Sequence, residues 1–188
     1  MISIRPVEKN EYEDIYRHMK RDFPANEVPP YWAVWRALKR GVYSAFYMED
    51  EDIMAAYAIV TAPQGSRFAL INYLAVLPEK RSSGYGGKFL SMLKESFAGR
   101  VLVVEVDARL KTVDKAEKET RIRRIKFYER HSFRLLPSLS VIIFGVDMEI
   151  MVNTQEDVGS VRDMMHELYI DALKYSFLLK NIKIEKLE

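Results

Sequence analysis

The stretch "RFALINYLAVLPEKRSSGYGGKFLSMLK" constrains the fold of this chain more than any other part of it. An apolar run ends in a turn carrying Gly84, Gly86 and Gly87, and the pattern of an amphipathic helix follows at once. The next segment, "RVLVVEVDA", is rich in valine and reads as a strand buried on both faces. Strand, turn, helix and strand in that order make a β-α-β core, which places the chain among mixed α/β sheets.

The flanking segments fit around that core. "ISIRPV" alternates as a short strand. In "EKNEYEDIYRHMKRDF", Tyr12, Ile15, Tyr16, Met19 and Phe23 recur at helical spacing, and "PANEVPP" ends the helix. "YWAVWRALKRG" reads as a second helix closing at Gly41. "VYSAFYMED", "EDIMAAYAIVTA" and "RFALINYLAVL" read as a three-strand meander. A helix starting near Asp114 carries a capping box, Asp114 with Glu117. Short strands are expected around "LSVIIF" and "VDMEIMV". A last helix is expected over "TQEDVGSVRDMMHELYIDALKYSFLLK", capped by Thr154 and Asp157, with a stripe of Val158, Val161, Met165, Leu168, Ala172 and Tyr175. Residues 1–152 thus read as one domain and 153–188 as a helical extension, packed on the same domain or at a dimer interface.

Composition excludes several chemistries. The chain has no cysteine, hence no disulfide framework, thiolate metal site or cysteine nucleophile. Three scattered histidines make no metal site. A formal net charge of +2 singles out no partner by bulk electrostatics. The first residues are charged rather than signal-like, and no apolar run approaches membrane-spanning length, so a soluble cytoplasmic protein without a membrane partner is expected.

The glycine turn has a chemical reading. A helix N-terminus leaves N–H groups unpaired and carries partial positive charge. Glycines in front of it let a ligand reach the backbone without meeting a Cβ atom. Arg81 and Lys88 add cations, and Ser82 and Ser83 add hydroxyls. Such a site suits a phosphate. The spacing is neither that of a dinucleotide-binding fold nor that of a P-loop. The ligand is then a pyrophosphate carried by something else, and the plain alternative is an ordinary glycine turn.

The element order, with "NYLAVLPEK", Arg81-Ser-Ser-Gly84-Tyr-Gly86 and "FYERHSF", resembles the GNAT acetyltransferase family. The hexad Arg81–Gly86 matches the family's pyrophosphate signature, Arg/Gln-x-x-Gly-x-Gly/Ala. "DFPANEVPP", "RRIKFYER" and "FGVDMEIMV" resemble a poorly characterised bacterial branch. The resemblance implies a GNAT-like acyl-CoA N-acyltransferase fold with a C-terminal helical extension. It implies acetyl-CoA as co-substrate, no metal, and a small-molecule or peptide amine as acceptor. It also implies that Leu74, Ala75 and Val76 hold the pantetheine arm at a splayed strand pair, and that Arg81, Ser82, Ser83, Gly84, Tyr85, Gly86 and Gly87 hold the pyrophosphate.

Direct acetyl transfer needs a neutral amine, although a free alkyl amine has a pKa near ~10.4. It therefore needs a base, a donor for the oxyanion and an acid for the departing thiolate. Tyr128 stands where the family places its acidic tyrosine; the alternative is a core aromatic beside Phe127. Glu105, a carboxylate inside an apolar strand, is the candidate base, with a structural strand-end carboxylate as the alternative. Glu27, in the loop bordering the acceptor site of the family, is the rival and could instead recognise a cationic substrate. Asn72 stands where some relatives carry an acid, and an amide cannot act as a base. Arg124 is a candidate contact to the coenzyme, while Arg121 replaces an asparagine of the relatives and inherits no role.

The basic run "RIRRIKFYER" reads as a solvated helix face rather than a nucleic-acid surface. His18 and His166 read as surface residues and His131 as a helix cap. Tyr12, Tyr16, Phe23, Tyr31, Trp32 and Trp35 read as core packing, with an acceptor-pocket wall as the alternative. A homodimer is left open. The leading function is N-acetyl transfer in a ternary complex; the rival is a non-catalytic acyl-CoA-binding sensor on the same fold.

Overall fold

The structure, a computed structural model, describes residues 1–109, 111–136, 139–143, 145–171 and 182–186. The chain divides into two units, Met1–Ala62 with Ile71–Ala98, and Pro63–Leu70 with Gly99–Glu188.

The first unit holds β1 (Ile2–Pro6), α1 (Tyr12–Asp22), α2 (Tyr31–Lys39), β2 (Tyr43–Asp50), β3 (Ile53–Thr61), the latter part of β4 (Phe68–Val76) and α3 (Tyr85–Ser96). The strands stand in the order β1-β2-β3-β4, with β1–β2 and β2–β3 antiparallel. The β2–β3 turn puts Glu51 and Asp52 at φ 52° and 63°, the paired left-handed geometry that a tight hairpin needs. α1 places Ile15 and Met19, both fully buried, against Val34 and Leu38 of α2 and Tyr57 and Ile59 of β3. Burying a side chain such as Ile15 contributes about 2 kcal/mol. The helix ends at Asp22 because Phe23 precedes a proline and is forced to an extended backbone, φ −124° and ψ 151°.

The second unit holds β5 (Val101–Asp107), α4 (Lys115–Arg130), β6 (Arg134–Leu135), β7 (Leu139–Ile143), β8 (Val146–Val152), α5 (Val161–His166) and β9 (Ile182–Lys186). Its strands run β5-β8-β7-β9, antiparallel throughout, and β6 pairs with the end of β8. Phe68, Leu70, Val103, Ile150 and Val152 form a core with Val161, Met164, Met165, Leu168 and Tyr169 of the C-terminal segment.

Three local expectations change. Asp114 caps α4 by accepting from the Glu117 N–H at 2.7 Å, but the Glu117 carboxylate turns to Thr112 and Arg121, both at 2.6 Å, so only half of the capping box forms. The last helix begins at Val161, where Ser160 accepts from the Asp163 N–H, and not at Thr154 and Asp157. It stays α-helical only to His166 and continues as a π-helical turn over Glu167–Asp171. Val158, Val161, Met165 and Leu168 are buried as the stripe requires, whereas Ala172 and Tyr175 lie outside the described residues. The extension is not helical throughout, because Ile182–Lys186 pairs as a strand with β7.

The Asp114 cap yields a direct test. Asp114→Ala is expected to lower stability by about 1 kcal/mol in urea unfolding, the usual worth of such a cap. An unchanged midpoint would mean that α4 is fixed by packing alone.

Candidate active site

In the first unit the glycine turn is built to leave its amides bare. Gly84 is the N-cap of α3 at φ +80°, and no side chain caps that helix. The first intrahelical bond there is Lys88 N–H to Gly84 O at 3.2 Å, so the N–H groups of Tyr85, Gly86 and Gly87 precede the helical ladder. A Cβ built on Gly84 would meet nothing within 4 Å. Glycine is therefore required by the backbone angle, and the space in front of it is open. Ser82 also takes a left-handed φ, 62°, and Arg81 to Gly84 are exposed.

The charged neighbours are ordered. Arg81 donates from Nε to Val76 O at 3.0 Å, and its Nη2 lies 3.5 Å from the buried Asp22 carboxylate. Arg21 and the Tyr57 hydroxyl also donate to Asp22, which holds its carboxyl below the usual range despite burial. Lys80 and Lys88 both stand over the Tyr85 ring, at 5.7 and 5.6 Å from its centre, and the Tyr85 hydroxyl donates to Asp50 at 2.5 Å. Two lysines thus stand over the ring of Tyr85, the first residue of α3, and Arg81 precedes the N-cap by three residues.

The other first-unit candidates lie along β4 and the loop after α1. Asn72 accepts from the Thr61 hydroxyl at 2.7 Å, and Leu74 and Val76 are half-buried with Ala75 buried between them. The backbone carbonyl of Glu27 accepts from the Tyr73 hydroxyl at 2.6 Å, fixing its loop to the strand. Of the six aromatics assigned to the core, Tyr12, Tyr16 and Phe23 pack against it. Tyr31, Trp32 and Trp35 instead stand exposed at 40%, 65% and 40%, since α2 is covered on one face only. His18 is a further correction: its side chain is mostly covered, lies 3.7 Å from Asp14, and burial lowers its pKa.

In the second unit, Glu105 and Tyr128 each sit in an apolar setting. Val103 and Glu105 share one face of β5 by the two-residue period of a strand, and that face carries the core formed with the C-terminal segment. Burial pushes the Glu105 carboxyl up to about 7. Opposing this, Tyr169 Oη lies 2.7 and 2.8 Å from the two carboxylate oxygens and donates its proton to them. Among the described residues, the core on that face includes Tyr169 but no residue of α4, although Ile125 and Tyr128 are buried. Glu105 and Tyr128 are accordingly directed to opposite faces of β5.

Tyr128 is 8% exposed, and burial raises its hydroxyl to about 12, so it holds its proton at neutral pH. Its ring packs edge-on against Phe127 and Phe133. Ser132 takes the left-handed φ of 64° that usually calls for glycine, which closes α4 just after Tyr128. Arg124, a candidate coenzyme contact, is paired with Asp107 at 2.5 Å and half exposed. Arg121 bonds Ala108 O and Glu117, and its Nε is a buried polar atom without a partner among the described residues. Tyr169 is the one functional candidate that sequence reasoning missed. Among the described residues, no cluster of three or more His, Cys, Asp or Glu could hold a metal, and no helix is long and apolar enough to cross a membrane.

No protein-family model and no curated protein matches the sequence. Solved structures do match. A protein assigned to the GNAT acetyltransferases of Bacteroides thetaiotaomicron superposes with a TM-score of 0.75 at 22% identity, covering 89% of this chain and 96% of that one. The ribosomal-protein-alanine N-acetyltransferase of Escherichia coli follows with 0.59 at 20% identity, covering 85% and 99%. A spermidine N-acetyltransferase chimera of Vibrio cholerae SpeG and hSSAT gives 0.61 at 13% identity, covering 80% and 93%. Together with the glycine turn at the head of α3, these likenesses establish that the chain has the fold of the GNAT acetyltransferases.

Proposed function

We propose that the protein is an N-acetyltransferase that moves the acetyl group of acetyl-CoA to a primary amine by direct attack. The observation that carries this reading is the uncapped N-terminus of α3, opened by Gly84, with Arg81, Lys80 and Lys88 in the flanking sequence and both lysines over the Tyr85 ring, in a chain of GNAT fold. Three amides and three cations suit the pyrophosphate of coenzyme A. Ser82 and Ser83 add hydroxyl donors, and the backbone of Leu74, Ala75 and Val76 is assigned to the pantetheine arm. Val76 O already accepts from Arg81, so that arginine links the strand to the phosphate loop.

The chemistry divides between two groups. Glu105, half-buried on the other face of β5 from Tyr128, takes the proton of the acceptor's ammonium form through a water relay rather than by direct contact. The freed nitrogen attacks the thioester carbon, forming the C–N bond. The C–S bond breaks, and Tyr128 gives its proton to the departing sulfur. The proton shed as the amide forms restores the tyrosine through solvent. Burial leaves the carboxyl near neutrality, where it can accept and release a proton, and keeps the phenol protonated at pH 7, so that a proton is in place for the sulfur. These two perturbed groups favour an enzyme over a non-catalytic acyl-CoA sensor, which would need neither. Glu27 and Asn72 are assigned to the acceptor, whose identity is left to experiment.

The test is release of free coenzyme A thiol from acetyl-CoA with spermidine and with an alanine-terminated peptide as probe acceptors. Turnover with either is expected, and Tyr128→Phe is expected to lower kcat on the order of 100-fold with little change in KM for acetyl-CoA. Neither binding nor turnover of acetyl-CoA by the folded protein would overturn the reading. Turnover untouched by Tyr128→Phe would remove the acid role alone.

A further inference from the structure

We propose that Tyr169, delivered by the π-helical turn after α5, is a positioning residue that holds the Glu105 carboxylate in the orientation from which it takes a proton. The inference rests on the reading of Glu105 as the base. It makes the C-terminal segment part of the proton-handling machinery rather than an appendage.

Three observations carry it. The first is contact: one hydroxyl stands within 2.8 Å of both carboxylate oxygens, across 64 residues of sequence. That geometry restricts rotation about the last side-chain torsion of Glu105, which is otherwise broad. The second is backbone. A π-turn stacks residue i+5 over residue i, and such turns concentrate at functional sites. Here the turn Glu167–Asp171 carries Tyr169, which is buried together with Met164 in the core that also contains Val103. The third is isolation. The groups around Glu105 are apolar: Val103 on its own strand, Ile150 opposite it on β8, and Met164, Met165 and Leu168 from the C-terminal segment. Among the charged groups of those elements, Asp107 is paired with Arg124, and Glu149 accepts from the Arg109 N–H at 3.1 Å and lies 3.4 Å from the Arg109 guanidinium. Glu167 and His166 stand on the exposed or half-exposed side of their turn. Among the described residues Tyr169 is the one side chain that hydrogen-bonds Glu105.

The sign of its effect follows. A hydroxyl donated to a carboxylate favours the charged form, so removing it makes Glu105 harder to deprotonate. The test follows the Glu105 side-chain carboxyl by carbon NMR in protein labelled with 13C-glutamate, its resonance identified by loss in Glu105→Gln. In Tyr169→Phe the midpoint is expected to rise by about one pH unit. In protein carrying 3-fluorotyrosine at position 169, a stronger donor on an almost unchanged ring, it is expected to fall. The second protein keeps the test alive where the phenylalanine variant does not fold. A midpoint that stays fixed in a folded variant overturns the inference. A midpoint that moves while the acid limb of acetyl transfer stays put leaves the positioning in place and overturns the base reading on which it rests.

Discussion

Gly84→Asp is expected to fold and to lose acetyl-CoA. The substitution is chosen because Asp tolerates a left-handed backbone better than most residues, and the position requires φ +80°. Its Cβ enters open space, so the fold meets no clash; the strain costs about 1 kcal/mol. The carboxylate then stands where the amides of Tyr85, Gly86 and Gly87 would receive a pyrophosphate. Two like charges about 4 Å apart repel by ~4 kcal/mol at an effective dielectric near ~20, and partial exposure screens this. Even half of it is a factor of roughly 30 in affinity. Calorimetric titration with acetyl-CoA and with free coenzyme A is therefore expected to show micromolar binding by the wild type and at least ~30-fold weaker binding by the variant. Gly65→Asp is the control, since Gly65 shares a positive φ of 79° and open surroundings but lies in the β3–β4 turn. Equal binding by wild type and Gly84→Asp would mean that the bare amides do not meet the ligand.

That site was legible because its chemistry is local. Three glycines in four residues, a flanking arginine and a following helix are all read within one short stretch, and backbone angle needs no distant partner to be inferred. The β-strands were legible for the same reason: alternation in "ISIRPV" and valine density in "VLVVEVDA" translate directly into β1 and β5. What the sequence hid depended on partners far along the chain. Glu105 could be named as a buried carboxylate, but nothing near it foretold Tyr169. The stripe Met165, Leu168, Ala172 leaves out residue 169, although 169 follows Met165 by four and shares its buried side; that its hydroxyl meets a carboxylate 64 residues away is a tertiary fact. The fate of Arg124 and Arg81 was hidden likewise. Their charge was plain, whereas their pairing with Asp107, and with Asp22 and Val76 O, is a tertiary fact. Trp32 and Trp35 show the opposite error. Helical spacing promised burial, but both stand on an outer face of α2, with the Lys39 ammonium 4.6 Å from the Trp35 ring centre.

Glu105→Gln is expected to change how stability depends on pH, as well as activity. The folded carboxyl titrates at about 7 against an ordinary 4.5, so between those values the native state holds a proton that the unfolded chain has released. Its contribution is fully present below pH 4.5 and is lost as pH rises towards and through 7. Two and a half units correspond to about 3 kcal/mol. His18 works in the other direction. Its folded pKa is lowered, so its contribution is present above about 6.5 and is lost as pH falls through the folded value. Asp22, Glu11 and Glu117, also lowered, contribute above their ordinary carboxyl range and lose stability only in acid. The difference between wild type and Glu105→Gln cancels all four. Urea unfolding at pH 5 is expected to find the two proteins alike within about 1 kcal/mol, since glutamine resembles the protonated carboxyl in shape and still accepts from Tyr169. At pH 8 the variant is expected to be more stable by up to ~3 kcal/mol while its acetyl transfer falls by about 100-fold. A base that is costly to ionise in its own fold is retained only where the charge does work. Parallel stability curves for the two proteins from pH 5 to 8 would show that Glu105 is ionised at little expense, and the reason for assigning it the proton would be gone.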